Sequence, residues 1–250
     1  MSNLKKLFVT SDLHGHYTLA REALDRAGFD ENNENHLFVC CGDLFDRGQE
    51  NRKVYDFVRG LKHKVLIRGN HDERLSDILI RGKANEYDLY NGTQVTLEEF
   101  FGVGSIGEMG EIRIPSDDPL ARELCLFVYG MRNYFETEHY VFVHGWLPTQ
   151  KGVHPPQLLD NWREAGSEDW RSARFSEWMS YFNSPATLTD KTVICGHRPT
   201  RLASRVDPTR SPEDASAYYA PNMIALDAGT IRSGRVNLLV VEDHLLEEVE

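Results

Sequence analysis

Residues 36–48 read HLFVCCGDLFDRG: an apolar run of strand length, a glycine, then two carboxylates and an arginine. Short apolar runs rich in β-branched and aromatic residues, closed by a turn residue, predict buried strands. The same arrangement recurs on either side. KLFVT at 6–10 runs into SDLHG at 11–15, and KVLI at 64–67 runs into RGNHD at 68–72. Between these runs, Leu19, Ala23, Leu24 and Ala27 share one face of a helix over about 16–28, and Val54, Phe57, Val58 and Leu61 share one face over about 49–61. A third helix is predicted from 73 to about 81. Strands alternating with helices in this way predict an α/β domain of parallel strands and crossover helices.

The polar motif after each run falls where an open α/β sheet gathers its binding groups, at the strand C-terminal ends. Asp12, Asp43 and Asn70 are 31 and 27 residues apart. Each interval is about one β-α-β repeat, which sets the three on neighbouring strands. An extended Asp12-Leu13-His14 would send both polar side chains to one side. Two later apolar runs end in His144-Gly145 and Gly196-His197, where a glycine lets backbone and ligand approach closely. Singly, each histidine also reads as a strand-end residue bonded to backbone. Jointly, two carboxylates, one amide and three imidazoles without a thiolate suit paired divalent cations of borderline hardness. Two such cations activate a water and clamp a phosphoryl group.

Beyond the third strand the periodicity weakens over 83–118, which reads as an insertion with some short helix. A helix is predicted from 119 to about 129, and a hairpin from 134–135 and 140–143. Residues 146–169 are loop-rich, and a Trp/Arg-rich helical stretch follows at 170–182, with Trp162, Trp170 and Trp178 read as packing residues. Runs at 191–195, 223–227 and 235–241 predict a second, more antiparallel sheet, with a surface loop at 205–220.

The 250 residues fit one large α/β domain. A net charge of −11 argues against nonspecific binding to nucleic-acid backbone and offers no basic segment to a membrane. No apolar run reaches the roughly 18 residues of a membrane span. Cys40, Cys41, Cys125 and Cys195 have no CxxC spacing and read as reduced, small apolar residues. With no apolar leader visible, a cytoplasmic protein is expected.

Taken together, DLHG at 12–15, GDLFDRG at 42–48, GNHD at 69–72, HG at 144–145 and GHRP at 196–199 resemble the calcineurin-like metallophosphoesterases. Within them the set resembles the phosphoprotein phosphatase superfamily in its bacterial and phage form, and LDAGT at 226–230 carries the similarity nearly to the end of the chain. The resemblance implies a four-layer αββα sandwich, two mixed sheets flanked by helices, in a single domain over 1–250 with the insertion at about 83–118. It implies one metal at Asp12, His14 and Asp43 and a second at Asp43, Asn70, His144 and His197. Mn²⁺ is the expected metal, with Fe or Zn as options, and a bridging water or hydroxide is the nucleophile. His71 would be the catalytic acid, Asp46 its orienting partner, and Arg47 the phosphate-binding arginine. Arg171 and Arg174, in DWRSARFSEW at 169–178, are candidates for a second phosphate contact or, alternatively, solvated helix arginines.

The chain also departs from the pattern. Ser11 stands where glycine is usual, a change only the backbone should feel. Trp146 replaces a second glycine and reads as an aromatic wall by the site. Pro199 stands where broader relatives place a further metal-binding histidine. Asp72 replaces a glutamate and is shared with symmetrical diadenosine tetraphosphate hydrolases. The expected activity is hydrolysis of phosphomonoesters, including phosphoserine and phosphothreonine proteins, by direct attack of metal-bound hydroxide. The alternatives are a symmetrical dinucleoside polyphosphate hydrolase and a non-catalytic binding subunit of the same fold. In each enzymatic reading the partner is a phosphorylated substrate, protein or small molecule.

Overall fold

The computed structural model of the protein describes residues 4–181, 189–247 and 249. In chain order, β1 (Leu4–Thr10), α1 (Tyr17–Arg26), β2 (His36–Cys40), α2 (Asn51–Gly60), β3 (Lys64–Leu66) and α3 (Asn70–Arg81) realise the predicted alternation. β1, β2 and β3 pair in parallel. The first turn of α3 begins at Asn70 rather than 73 because Asp72 folds back to accept the Gly69 N–H, capping the helix there. Asn70 and His71 therefore sit in the first turn of the helix.

Two short helices, α4 (Glu86–Tyr90) and α5 (Thr93–Phe101), lie within the 83–118 segment, and α6 (Pro119–Gly130) follows. A second sheet has the order β4 (Phe135–Glu136), β5 (Tyr140–Phe142), β6 (Thr192–Cys195), β8 (Met223–Ala225), β7 (Tyr218–Ala220). Its three central strands are parallel and only its two edges antiparallel, so it is less antiparallel than expected. The long crossover from β5 to β6, which carries α7 (Ser167–Arg174), is what permits the parallel pairing. The Trp/Arg-rich helix is thus shorter than predicted, and residue 182 lies outside the described residues. The run assigned to the second sheet at 235–241 instead contributes β9 (Leu239–His244), antiparallel to β1 in the first sheet. There it covers the β1 edge.

Alternation along the strands builds four layers. Leu7, Val9, Leu37, Val39 and Val65 from the first sheet meet Phe135, Phe142, Ile194 and Leu226 between the sheets. Phe8, Phe38 and Cys40 point the other way, onto Leu24, Val54 and Val58 of the first two helices. Val141, Val193, Cys195 and Met223 form the outer face of the second sheet, under Trp146, Trp162, Trp170 and Trp178. No helix of the described residues is long and apolar enough to cross a membrane.

Candidate metal centre and active site

The parallel strands deliver their polar residues to one edge. Asp12 follows β1, Asp43 follows β2, Asn70 follows β3, His144 follows β5 and His197 follows β6. Backbone bonds join the loops: Asp12 N donates to Gly42 O at 2.9 Å, His14 N to Asp43 O at 3.0 Å, and Gly196 N to His144 O at 2.8 Å. Asp12, His14, Asp43, Asp46, Arg47 and His197 all have φ between 45° and 75°. Left-handed backbone at non-glycine residues costs on the order of 1–3 kcal/mol each and gathers at functional sites. The extended Asp12–His14 geometry is therefore absent; tight left-handed turns aim both side chains inward. Close approach also explains two glycines. A Cβ on Gly69 would stand 2.1 Å from Asp43 Oδ1, and one on Gly196 would stand 2.2 Å from Asp12 Oδ2.

The donor atoms converge. The Nδ1 atoms of His14 and His144 are tied to the carbonyls of Phe45 at 2.8 Å and Cys41 at 2.7 Å, which leaves each Nε2 facing inward. Asp43 Oδ2 lies 3.7 Å from His14 Nε2 and 3.4 Å from His144 Nε2. Asn70 Oδ1 is 2.9 Å from His144 Nε2. Asp43, His144 and His197 place donor atoms within 4.8 Å of one another, as do His14, Asp43 and His71. Asp43 belongs to both groups. His71 has both ring nitrogens engaged, Nδ1 by Asp46 Oδ2 at 2.7 Å and Nε2 by Arg47 Nη2 at 3.1 Å. Asp12 Oδ1, by contrast, is buried with no hydrogen-bond partner and lies 3.9 Å from His14 Nε2. An orphaned carboxylate oxygen amid inward-facing imidazoles fits a cation and little else.

Electrostatics agree. Burial and the Asp227 carboxylate hold Asp12 well above the usual carboxylate range. Burial also opposes ionisation of Asp43, but His144, His71 and His14 outweigh it and hold Asp43 well below that range. Against its own burial, Asp43 and Asp12 push His144 up to about 9. Burial, with His71 and Arg47, keeps His14 well below an ordinary histidine, and burial with His144 brings His197 down to about 3. Such opposed shifts follow from buried carboxylates and imidazoles crowded together, and groups of this kind lose their protons when a divalent cation binds.

Several groups in the site were not read from the sequence. Ser11 does more than the backbone role expected of it: its hydroxyl donates to Asp12 Oδ2 at 2.5 Å. Asp72 accepts the N–H groups of Asp43, Leu44 and Gly69, each at 2.9 Å, and so clamps the loop of Asp43 to the start of α3. Asp227, after β8, is buried beside Asp12; burial raises it to about 6. The 83–118 segment contributes Thr93 and Thr96, whose hydroxyls donate to Asp46 at 3.0 and 2.9 Å, while Asp46 N donates to Thr96 Oγ1 at 3.0 Å. That segment thus holds the carboxylate that holds His71. Thr96→Val should lower kcat by roughly 10–100-fold, as loss of an outer-shell partner does, and destabilise the fold by about 1–3 kcal/mol. Kinetics and urea denaturation check this; an unchanged rate contradicts the support role.

Two further candidates are engaged by other partners. Arg174 bonds Glu73 at 2.6 Å and Asn133 at 2.9 Å, and Arg171 bonds Asp77 at 2.5 Å. Both tie α7 to α3 through carboxylates, and neither makes a hydrogen bond or ion pair with the ligand set, His71 or Arg47. Trp146 is not an aromatic wall. It is 1% exposed and stacks on Tyr181 at 5.2 Å, because its backbone N–H donates to Ala173 O and turns it into the core of the second sheet.

Comparison with known proteins agrees with this geometry. The symmetrical bis(5'-nucleosyl)-tetraphosphatase of Buchnera aphidicola is 32% identical over 84 residues, 33% of this chain and 30% of that relative. The asymmetrical bis(5'-nucleosyl)-tetraphosphatase PrpE of Bacillus subtilis is 31% identical over 100 residues, 36% of this chain and 40% of that relative. These matches span well under half of either relative's length. Among solved structures, a cold-active protein tyrosine phosphatase superposes with a TM-score of 0.55 at 16% identity, covering 94% of this chain and 73% of that one. A protein provisionally assigned as a diadenosine tetraphosphatase superposes with a TM-score of 0.54 at 15% identity, covering 97% and 95%. Both show the shared fold. The sequence pattern of the calcineurin-like phosphoesterases matches residues 5–229, nearly the whole length. The chain belongs to the calcineurin-like phosphoesterase family.

Proposed function

We propose that the protein hydrolyses phosphoric esters in one step at two divalent cations. Asp12, His14 and Asp43 would hold one; Asp43, Asn70, His144 and His197 would hold the other. The observation that carries this reading is the buried, unpartnered Asp12 Oδ1 facing inward-directed imidazoles. Mn²⁺ suits the mixed carboxylate and imidazole set, which Fe or Zn could also occupy. When bound, the cations supply a water activated for attack at neutral pH and neutralise phosphoryl charge. The chain's own groups do the rest. Arg47, 2.8 Å from His14 Nε2 and 3.1 Å from His71 Nε2, brings a guanidinium to the ligand set, and once a cation takes His14 Nε2 it could grip two phosphoryl oxygens. His71, with Nδ1 held by Asp46, would pass a proton from Nε2 to the departing oxygen once a bound phosphoryl group draws Arg47 off that nitrogen.

Phosphomonoesters, phosphoserine and phosphothreonine proteins among them, are the substrate class that the motif set by itself suggests. A second reading, hydrolysis of dinucleoside polyphosphates, is favoured by the names of the matched relatives. The assembled Arg47–His71–Asp46 set supports catalysis over a binding-only role, since binding alone needs no positioned proton donor. Metal-free protein should be inactive on p-nitrophenyl phosphate, recover activity with Mn²⁺, and lose it again in EDTA. Undiminished activity in protein shown by elemental analysis to be free of metal would refute the proposal.

A further inference from the structure

We propose that Arg74 and Tyr87 form a leaving-group subsite that takes a nucleotide, its phosphate on Arg74 and its base on Tyr87. The inference rests on the phosphoesterase reading above, because it starts from His71 as proton donor. The group that departs must lie against that donor. Two guanidiniums meet His71. Arg47 reaches it at Nε2, and Arg74, one helical turn along α3, places Nη1 3.3 Å from Nδ1 and 3.5 Å from Nε2. One cation serves the attacked phosphoryl group, and the second has no part in that task.

Arg74 is buried, 8% exposed, and its nearest carboxylate is a loose partner: Nε stands 3.5 Å from Asp88, which Arg81 also engages. Arg74 and Arg81 share Asp88, and Arg74 is the more loosely paired of the two. Over the Arg74 guanidinium, 4.9 Å from its ring centroid, lies Tyr87 of α4, 60% exposed. Moving outward from His71, a leaving group meets a cation and then an accessible aromatic ring. A nucleoside phosphate carries an anion next to the scissile bond and a flat base beyond it. The side chain of phosphoserine or phosphothreonine carries neither. In the reaction, the bond between the attacked phosphorus and the bridging oxygen breaks, and water oxygen forms the new bond. The nucleotide phosphate leaves with the electron pair and takes up a proton or departs as the anion.

The test compares kcat/KM of the Mn²⁺-loaded protein for diadenosine tetraphosphate, inorganic tripolyphosphate and β-glycerol phosphate. The wild type should favour the dinucleotide. Tyr87→Ala should lower the ratio of dinucleotide to tripolyphosphate by roughly tenfold, the loss of one base–aromatic stack, and Tyr87→Phe should restore it. Arg74→Gln should lower the ratio of tripolyphosphate to β-glycerol phosphate, chiefly through KM. Tyr87 is surface-exposed, so its variants test binding rather than folding. An unchanged dinucleotide ratio in Tyr87→Ala overturns the subsite. Efficient monoester hydrolysis without a nucleotide preference overturns the subsite while leaving the phosphoesterase reading intact. Failure of the metal-loaded wild type on all three substrates overturns both.

Discussion

Asp43→Asn should release both metals and lower kcat/KM by roughly 10³-fold or more, since each tenfold is about 1.4 kcal/mol and a metal centre supplies several kcal/mol of transition-state stabilisation. Asp43 is the one carboxylate shared by both donor groups, with Oδ2 3.7 Å from His14 Nε2 and 3.4 Å from His144 Nε2. Its Oδ1 accepts the His71 backbone N–H at 2.9 Å. Asparagine preserves the shape and can keep that bond through its amide oxygen, and the Asp72 clamp on the neighbouring backbone is untouched. The substitution therefore removes charge and one ligand oxygen from a loop that stays in place. Elemental analysis and kinetics on the same preparation check it. Two metals retained at the wild-type rate would remove Asp43 from the bridging role.

His71→Asn should cost roughly 10²–10⁴-fold on an alkyl phosphate, whose poor leaving group needs a proton, and distinctly less on p-nitrophenyl phosphate. Thr93 and Thr96 hold Asp46, and Asp46 holds His71 Nδ1, so Nε2 would be the working nitrogen once Arg47 turns from it to a bound phosphoryl group. An equal loss on both substrates would assign His71 to positioning rather than proton transfer. Arg47→Ala should weaken kcat/KM for both leaving groups alike, because the phosphoryl oxygens it would grip are common to each.

Much of this arrangement was legible before any coordinates. The first three strands lie buried under helices, so KLFVT, HLFVCC and KVLI read as continuous apolar runs, and each metal motif followed a strand end. What was missed depends on packing between distant segments. Nothing local to 235–241 distinguishes pairing with β1 from joining the second sheet. Thr93 and Thr96 are ordinary residues of a helix until α5 docks 50 positions away from Asp46. Ser11 reads as a backbone spacer until its hydroxyl is seen on Asp12. The positive φ angles at Asp12, His14 and Asp43 could not be anticipated, since non-glycine residues avoid that region unless their surroundings impose it. Trp146 turned inward for a similar reason: its direction is set by a backbone bond to Ala173, far along the chain.

The most direct test of the central claim is the number of Mn²⁺ ions bound per chain when metal-free wild-type protein is titrated, followed by elemental analysis after dialysis and by the electron paramagnetic resonance spectrum. Two ions are expected, with the spectrum of a coupled pair sharing the Asp43 carboxylate; a single ion, an uncoupled spectrum or no bound metal in folded protein would refute the two-cation centre.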